Sequence, residues 1–213
     1  MNLSTLDFLK KLEKNNNREW FNEHKKLFTV ATEDVTSFVE ELIRKIARFD
    51  KEIGKVDAKK SLFRIYRDTR FSHNKDPYKL NFGANIGFKN AGYYLHIQPK
   101  QSFLAGGIYM LENDKLKELR KEISGNAEVF QRIVGEESFC RYFGGLSEEG
   151  KLKRVPAGFD KEDPMAEYLK LKYFVAVRPV SDKELLEKDA PKKFAEIYKS
   201  LKPLKDFLNA PFL

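Results

Sequence analysis

The sequence predicts an α+β fold in which an antiparallel sheet of about four to five strands from the central segment is packed on one face by the N- and C-terminal helices. Apolar residues recur at helical spacing at both ends of the chain. Between residues 61 and 110 the period changes to two, with glycine- and asparagine-marked turns. Hydrophobic residues make up 41% of the 213 residues and aromatics 13%, with 18 Phe and 9 Tyr, enough for a packed interior.

Ser4-Thr5-Leu6-Asp7, followed by Leu9 and Leu12, reads as a capped helix with Ser4 at the N-cap, which Asn15-Asn16-Asn17 interrupts. Helical spacing resumes from Arg18 through Trp20, Phe21, His24 and Phe28. It continues as the apolar stripe Val35, Phe38, Val39, Leu42, Ile43 and Ile46, giving two helices or one bent one. Ser61 to Tyr66 has the β-branched and aromatic content of a strand, and Asn74-Lys-Asp-Pro77 is a turn signal. Phe82, Ala84, Ile86 and Phe88 alternate with Gly83, Asn85, Gly87 and Lys89, a second alternation runs from Tyr93 to Gln98, and Ser102 to Met110 completes a meander. Gly106 and Gly107 mark a bulge or a close backbone approach.

The second half reads as mainly helical. Helices are predicted over Asn113–Ile123, Ala127–Val134 and Pro164–Lys170, the last with Asp163 as N-cap. A strand is predicted over Tyr173–Val177. Ser181 to Glu184 is a capping box, Pro191 opens a helix carrying Phe194, Ile197, Tyr198 and Leu201, and Pro203 starts a last short one. With no repeat, low-complexity linker or compositional seam, residues 1–213 are expected to form a single domain.

Residues 1–30 hold no apolar stretch of signal-peptide length, and no run approaches the roughly 18 apolar residues that span a bilayer, so no membrane partner is expected. A single cysteine, Cys140, forms no internal disulfide and fits a reducing, cytoplasmic setting. Net charge is +8 and the isoelectric point about 9.3. Lys55 to Leu80 holds eight Lys and Arg against three Asp and Glu, so a balance of +5 falls in 26 residues.

Several segments together resemble the domain-of-unknown-function family 2461. They are Asn15-Asn-Asn-Arg-Glu-Trp-Phe21, Phe63-Arg-Ile-Tyr-Arg-Asp-Thr-Arg-Phe-Ser72, Lys75-Asp-Pro-Tyr-Lys79, Tyr93-Tyr-Leu-His96, Pro156-Ala-Gly-Phe159 and Leu201-Lys-Pro203. Where members of that family carry Ser-Lys-Asp-Lys, this chain has Ser72-His-Asn-Lys75. The resemblance implies the fold and the single domain; it carries no reaction, so function is left to the chemistry of the residues.

If the strand through Arg64 runs on to Phe71, alternation places Arg64, Tyr66, Asp68 and Arg70 on one face, about 6.6 Å apart in succession, and Phe63, Ile65 and Phe71 on the core face. The next strands add Gly83, Asn85, Gly87, Tyr94, His96 and Gln98 to the polar side. Guanidinium groups over small residues suit an anion, with Asp68 orienting an arginine and with Arg67, Lys75 and Lys79 as further anion contacts. An ordinary solvated sheet face bearing surface ion pairs accounts for the same residues. His96, beside Tyr94, is either a general acid–base or a hydrogen-bonding partner within the sheet.

No spacing of histidines and carboxylates matches a metal site, and no phosphate-cradling or dinucleotide glycine loop occurs, so neither metal nor cofactor is expected. Cys140, among Phe139, Tyr142 and Phe143, reads as a small buried hydrophobe, and Trp20 and Phe21 read as core anchors. The lysines at 188, 192, 193, 199, 202 and 205 form the solvated side of the last helices. Three functions fit: binding or processing of a phosphorylated or other anionic small molecule on the arginine-rich face; a nucleic-acid module using the basic 55–80 segment with Tyr66, Tyr78 and Tyr94 as stacking groups; or a structural or interaction protein with no small-molecule ligand. Catalysis and oligomeric state are left open.

Overall fold

A computed structural model describes residues 1–87 and 90–213, among which there are ten helices and one antiparallel four-stranded sheet. Phe88 and Lys89, placed by alternation on opposite sides of the first meander strand, lie outside the described residues. In chain order the elements are α1 (Leu3–Lys14), α2 (Arg18–Glu23), α3 (Lys25–Ile46), α4 (Ala58–Ser61), β1 (Phe82–Ile86), β2 (Gly92–Ile97) and β3 (Ser102–Ile108). There follow α5 (Asn113–Gly125), α6 (Ala127–Val134), α7 (Glu137–Phe143), α8 (Ala166–Leu169), β4 (Phe174–Val180), α9 (Asp182–Leu186) and α10 (Ala190–Asn209). The sheet order β1-β2-β3-β4 is that of a meander closed by one later strand, and N- and C-terminal helices pack on it, as the sequence predicts. No described helix is long and apolar enough to cross a membrane.

The residues group into two compact units. The first is Met1–Gly87, Tyr94–Leu104 and Pro179–Glu196; the second is the stretch ending at Tyr93 with Ala105–Arg178 and Ile197–Leu213. In the first, α1 buries Leu6, Phe8, Leu9 and Leu12, α3 buries Val35, Phe38, Val39, Leu42 and Ile46, α3 packs on α1 and on β1, and Phe82, Ala84, Ile86, Leu95 and Ile97 of the strands are buried as well. Phe82 lies 6.3 Å from both Phe8 and Phe28, ring to ring, and Phe38 meets Phe194 edge-on at 5.9 Å. In the second unit Tyr93 packs on Tyr198 at 5.1 Å, and the space above Gly106 is filled by Leu201. Gly107 has φ +117°, and a Cβ there would collide with the Phe174 carbonyl of β4. The close approach expected at this pair of glycines is therefore what holds β3 against β4.

Two side-chain amides act as surrogate backbone. Asn16 Nδ2 donates to the Tyr78 carbonyl at 3.0 Å while its Oδ1 accepts from the Tyr78 amide at 3.1 Å. Asn209 does the same for Ala91, accepting at 2.9 Å and donating at 3.1 Å. Each clamp supplies one residue of a loop with the pair of hydrogen bonds that a neighbouring strand would otherwise give.

Several local expectations change. Helix α1 begins at Leu3 rather than after Ser4; Asn2, through its backbone and side-chain amides, and the Thr5 hydroxyl donate to Asp34 of α3, at 2.6 to 2.8 Å. A carboxylate from another helix thus serves this N-terminus. Asp163 does not cap a helix from Pro164: it accepts from the Met165 amide at 2.6 Å and closes a turn ahead of α8. Pro203 lies inside α10, which continues through it on the packing of Leu201, Leu204 and Leu208. Helix α7 was not foreseen; its signals are Glu136, which accepts from the Phe139 amide, and Gly144, whose φ of +70° ends it. Cys140 on α7 is exposed, not a buried hydrophobe. Lys205 is buried over the Tyr93 ring rather than solvated.

Candidate functional site

The segment from Ser61 to Phe71 is not a strand. Ser61 closes α4, Leu62 bridges Ala84, and the Phe63 amide donates to the Gly83 carbonyl at 2.9 Å, so the chain touches the edge of β1 only briefly. It then pairs with a different stretch. Tyr66 bridges Tyr78, the Arg67 amide donates to the Pro77 carbonyl at 2.9 Å, and the Lys79 amide donates to the Ile65 carbonyl at 2.7 Å. The result is a hairpin-like turn-back closed around residues 68–76. Because the pairing partner changes, strict alternation fails: Ile65 is buried, but Phe63 and Phe71, expected in the core, are 50% and 95% exposed.

The hairpin uses most of its own charge. Asp68 accepts from Arg70 Nε at 3.0 Å, Nη2 at 2.7 Å and the backbone amide at 3.2 Å; the Arg70 hydrogen bonds, side chain first, hold its carboxyl below the ordinary aspartate range. The pair lies in open solvent and adds little stability. Arg67 is half-buried and donates to the Asp76 carbonyl at 3.4 Å and to Ser72 Oγ at 3.3 Å, while Lys75 donates to the Thr69 carbonyl at 3.1 Å. Arg67, Arg70 and Lys75 thus brace the loop.

Arg64 and Lys79 differ. Neither side chain forms a salt bridge or hydrogen bond among the described residues. Burial, and then the Arg64 charge, push the Lys79 ammonium below the ordinary lysine range. Its Nζ sits 5.5 Å over the Phe63 ring, which sits 6.0 Å from Tyr94. Tyr66 is half-exposed and packs at the rim on Tyr78 and Phe21; Tyr78 itself is buried, stacked on Phe21 at 4.0 Å, and so unavailable as a stacking group.

On β2 the expected polar row is present and internally connected. Tyr94 Oη lies 3.2 Å from His96 Nδ1, and His96 Nε2 lies 3.1 Å from Gln98 Oε1. The Gln98 oxygen can only accept, so Nε2 carries the proton, leaving Nδ1 to accept from Tyr94 and from Asn81 Nδ2 at 3.4 Å. The ring stacks on Phe103 at 4.5 Å. Burial lowers the His96 pKa, opposed in part by Gln98, and raises that of Tyr94. The imidazole is a neutral, fully engaged member of the sheet. The floor beneath is not open: a Cβ on Gly83 would come 2.5 Å from Tyr94 Oη and 3.2 Å from Phe63, so aromatic rings occupy the space the glycine leaves. Asn85 is the exposed residue of β1.

The candidate residues therefore fall into three sets: the Asp68–Arg70 pair with Arg67 and Lys75 in the loop, the Tyr94–His96–Gln98 row on β2, and Arg64 and Lys79, which have no ion-pair partner among the described residues. Sequence reasoning missed Asn16, Asn81 and Phe103. Only the triple asparagine before Arg18 gave a signal, and it concerned capping, which Asn17 performs by accepting from the Trp20 amide at 2.9 Å.

Fold and site together define an α+β protein with a four-stranded antiparallel meander whose edge carries a basic, aromatic hairpin. The chain belongs to the family described as "Conserved hypothetical protein (DUF2461)", whose model matches residues 4–207. No protein of curated function matches it, and no solved structure does.

Proposed function

We propose that the protein binds a phosphorylated or otherwise anionic ligand at Arg64 and Lys79. The observation that supports this reading is that Arg64 and Lys79 have no carboxylate bonded to them among the described residues, whereas Arg67, Arg70 and Lys75 of the same hairpin are already hydrogen-bonded. The Arg64 charge works against the Lys79 ammonium, and an oxyanion bound to both relieves that cost while accepting a two-pronged hydrogen bond from the guanidinium. Lys79, partly desolvated over Phe63, gains most from such a partner. His96 lies outside the proposed contact set because both of its ring nitrogens are already engaged. A cytoplasmic setting belongs to the same reading, supported by a single cysteine whose thiol is exposed.

The test is thermal unfolding of the full chain with inorganic phosphate, pyrophosphate, sugar phosphates and nucleotides. A ligand at 100 times its Kd adds about 2.7 kcal/mol, or about 5–10 °C for a chain of this size. Arg64→Ala abolishes that shift, whereas Arg70→Ala, which removes a solvent-exposed arginine already committed to Asp68, leaves it in place. The absence of any shift in the wild type, or an equal shift in Arg64→Ala, sinks the reading.

A further inference from the structure

We infer that the ligand is single-stranded nucleic acid, with its phosphates on Arg64 and Lys79 and its bases stacked on Phe63, Tyr66 and Phe71. This rests on the anion reading of Arg64 and Lys79 and adds the class of ligand. Four aromatic side chains are exposed among the described residues, and three of them, Phe63 at 50%, Tyr66 at 52% and Phe71 at 95%, fall within nine residues of one another. They interleave with Arg64, Arg67 and Arg70 on the most basic stretch of the chain. Large rings left in water are unfavourable, and a fold that buries Phe8, Phe21, Phe82 and Tyr93 in its cores leaves these outside. A small oxyanion would use only the two cations and would give the rings no role.

Geometry agrees with an extended strand. Phe63 and Tyr66 are three residues apart, a separation of at most about 10 Å along the chain, within the reach of about three base steps of ~3.4 Å. In a duplex the base faces are stacked on one another, so aromatic platforms beside cations select unpaired strands. A lipid surface fits less well: the loop tip offers one apolar ring, Phe71, and Asp68 and Asp76 stand on the same loop.

The experiment is fluorescence anisotropy of the full-length protein with labelled strands of about 12 nucleotides. Parallel arms use an abasic strand of equal length, a duplex, and vesicles of mixed zwitterionic and anionic lipid. Base-bearing single strands bind, with a log–log salt slope of at least about −1.4 for two phosphate contacts, and Arg64→Ala reduces the slope by about 0.7. Phe71→Leu, a change at a fully exposed site, weakens binding about 5- to 100-fold at unchanged Tm, and Phe63→Leu acts in the same direction. Equal binding of abasic and base-bearing strands, or indifference to both phenylalanine substitutions, overturns the stacking. Phosphate stabilisation lost in Arg64→Ala but with no strand binding overturns this inference and leaves the anion reading standing. Phe71-dependent vesicle binding without strand binding also overturns it, and silence in every arm removes both.

Discussion

At the scale of single residues, His96 shows how position sets chemistry. Its ring lies flat on Phe103, Nε2 faces an oxygen that can only accept, and Nδ1 accepts from Tyr94 and Asn81. A second proton would have to enter at Nδ1 beside the Asn81 amide donor, in a half-buried setting, and burial accordingly depresses the pKa from its usual 6.5. A base depressed on folding stabilises the protein above its unfolded pKa and loses that contribution as pH falls below it. Wild type should therefore lose more stability than His96→Gln between about pH 6.5 and 5, where an unperturbed histidine takes up its proton. Urea denaturation of both proteins across that range checks this, and parallel curves would show that His96 does not titrate differently on folding. The alternation Tyr94–His96–Gln98 was legible because β2 is a regular strand with one covered face. The aromatic neighbours were not, since Phe103 meets His96 across a strand pairing that sequence order does not specify.

At the scale of elements, the two asparagine clamps do what a missing strand would do. Asn16 binds both backbone groups of Tyr78, residues that lie 62 positions apart, and so ties the loop before α2 to the return arm of the basic hairpin. Removing the amide leaves a part-buried N–H and C=O without partners. Asn16→Ala should cost about 1–3 kcal/mol, seen as a lower urea midpoint at an unchanged slope. A change below about 0.5 kcal/mol would mean that water replaces the clamp. The meander strands and the long helices were readable because each keeps one period over its whole length. The stretch 62–71 was not, because it changes partner after Phe63, from Gly83 of β1 to Pro77–Lys79 of its own return arm. Periodicity survives only while the same neighbour persists.

At the scale of the whole molecule, the two compact units share their secondary structure. The divisions between them fall inside β2, β3, β4 and α10, after Tyr93, Leu104, Arg178 and Glu196. The expectation from the sequence of a single domain predicts one calorimetric transition with equal van't Hoff and calorimetric enthalpies. Two resolved transitions would show that the units melt separately. The net charge of +8 is unevenly spread, with +5 of it concentrated between Lys55 and Leu80, so salt is expected to act on ligand binding more than on folding.

By itself the sequence determined the α+β class, the meander and the covering helices, the capping box at Ser181 and the concentration of positive charge near the sheet edge. These depend on neighbours a few positions apart, through period, turn chemistry and local hydrogen bonds. Tertiary structure alone decided which cations are bonded and which are not, that Phe63 and Phe71 face water, that Tyr78 is buried, and that rings rather than space lie over Gly83. Those outcomes turn on contacts between segments far apart in the chain, and on the change of pairing partner after Phe63, which the identities of the residues permit but do not impose.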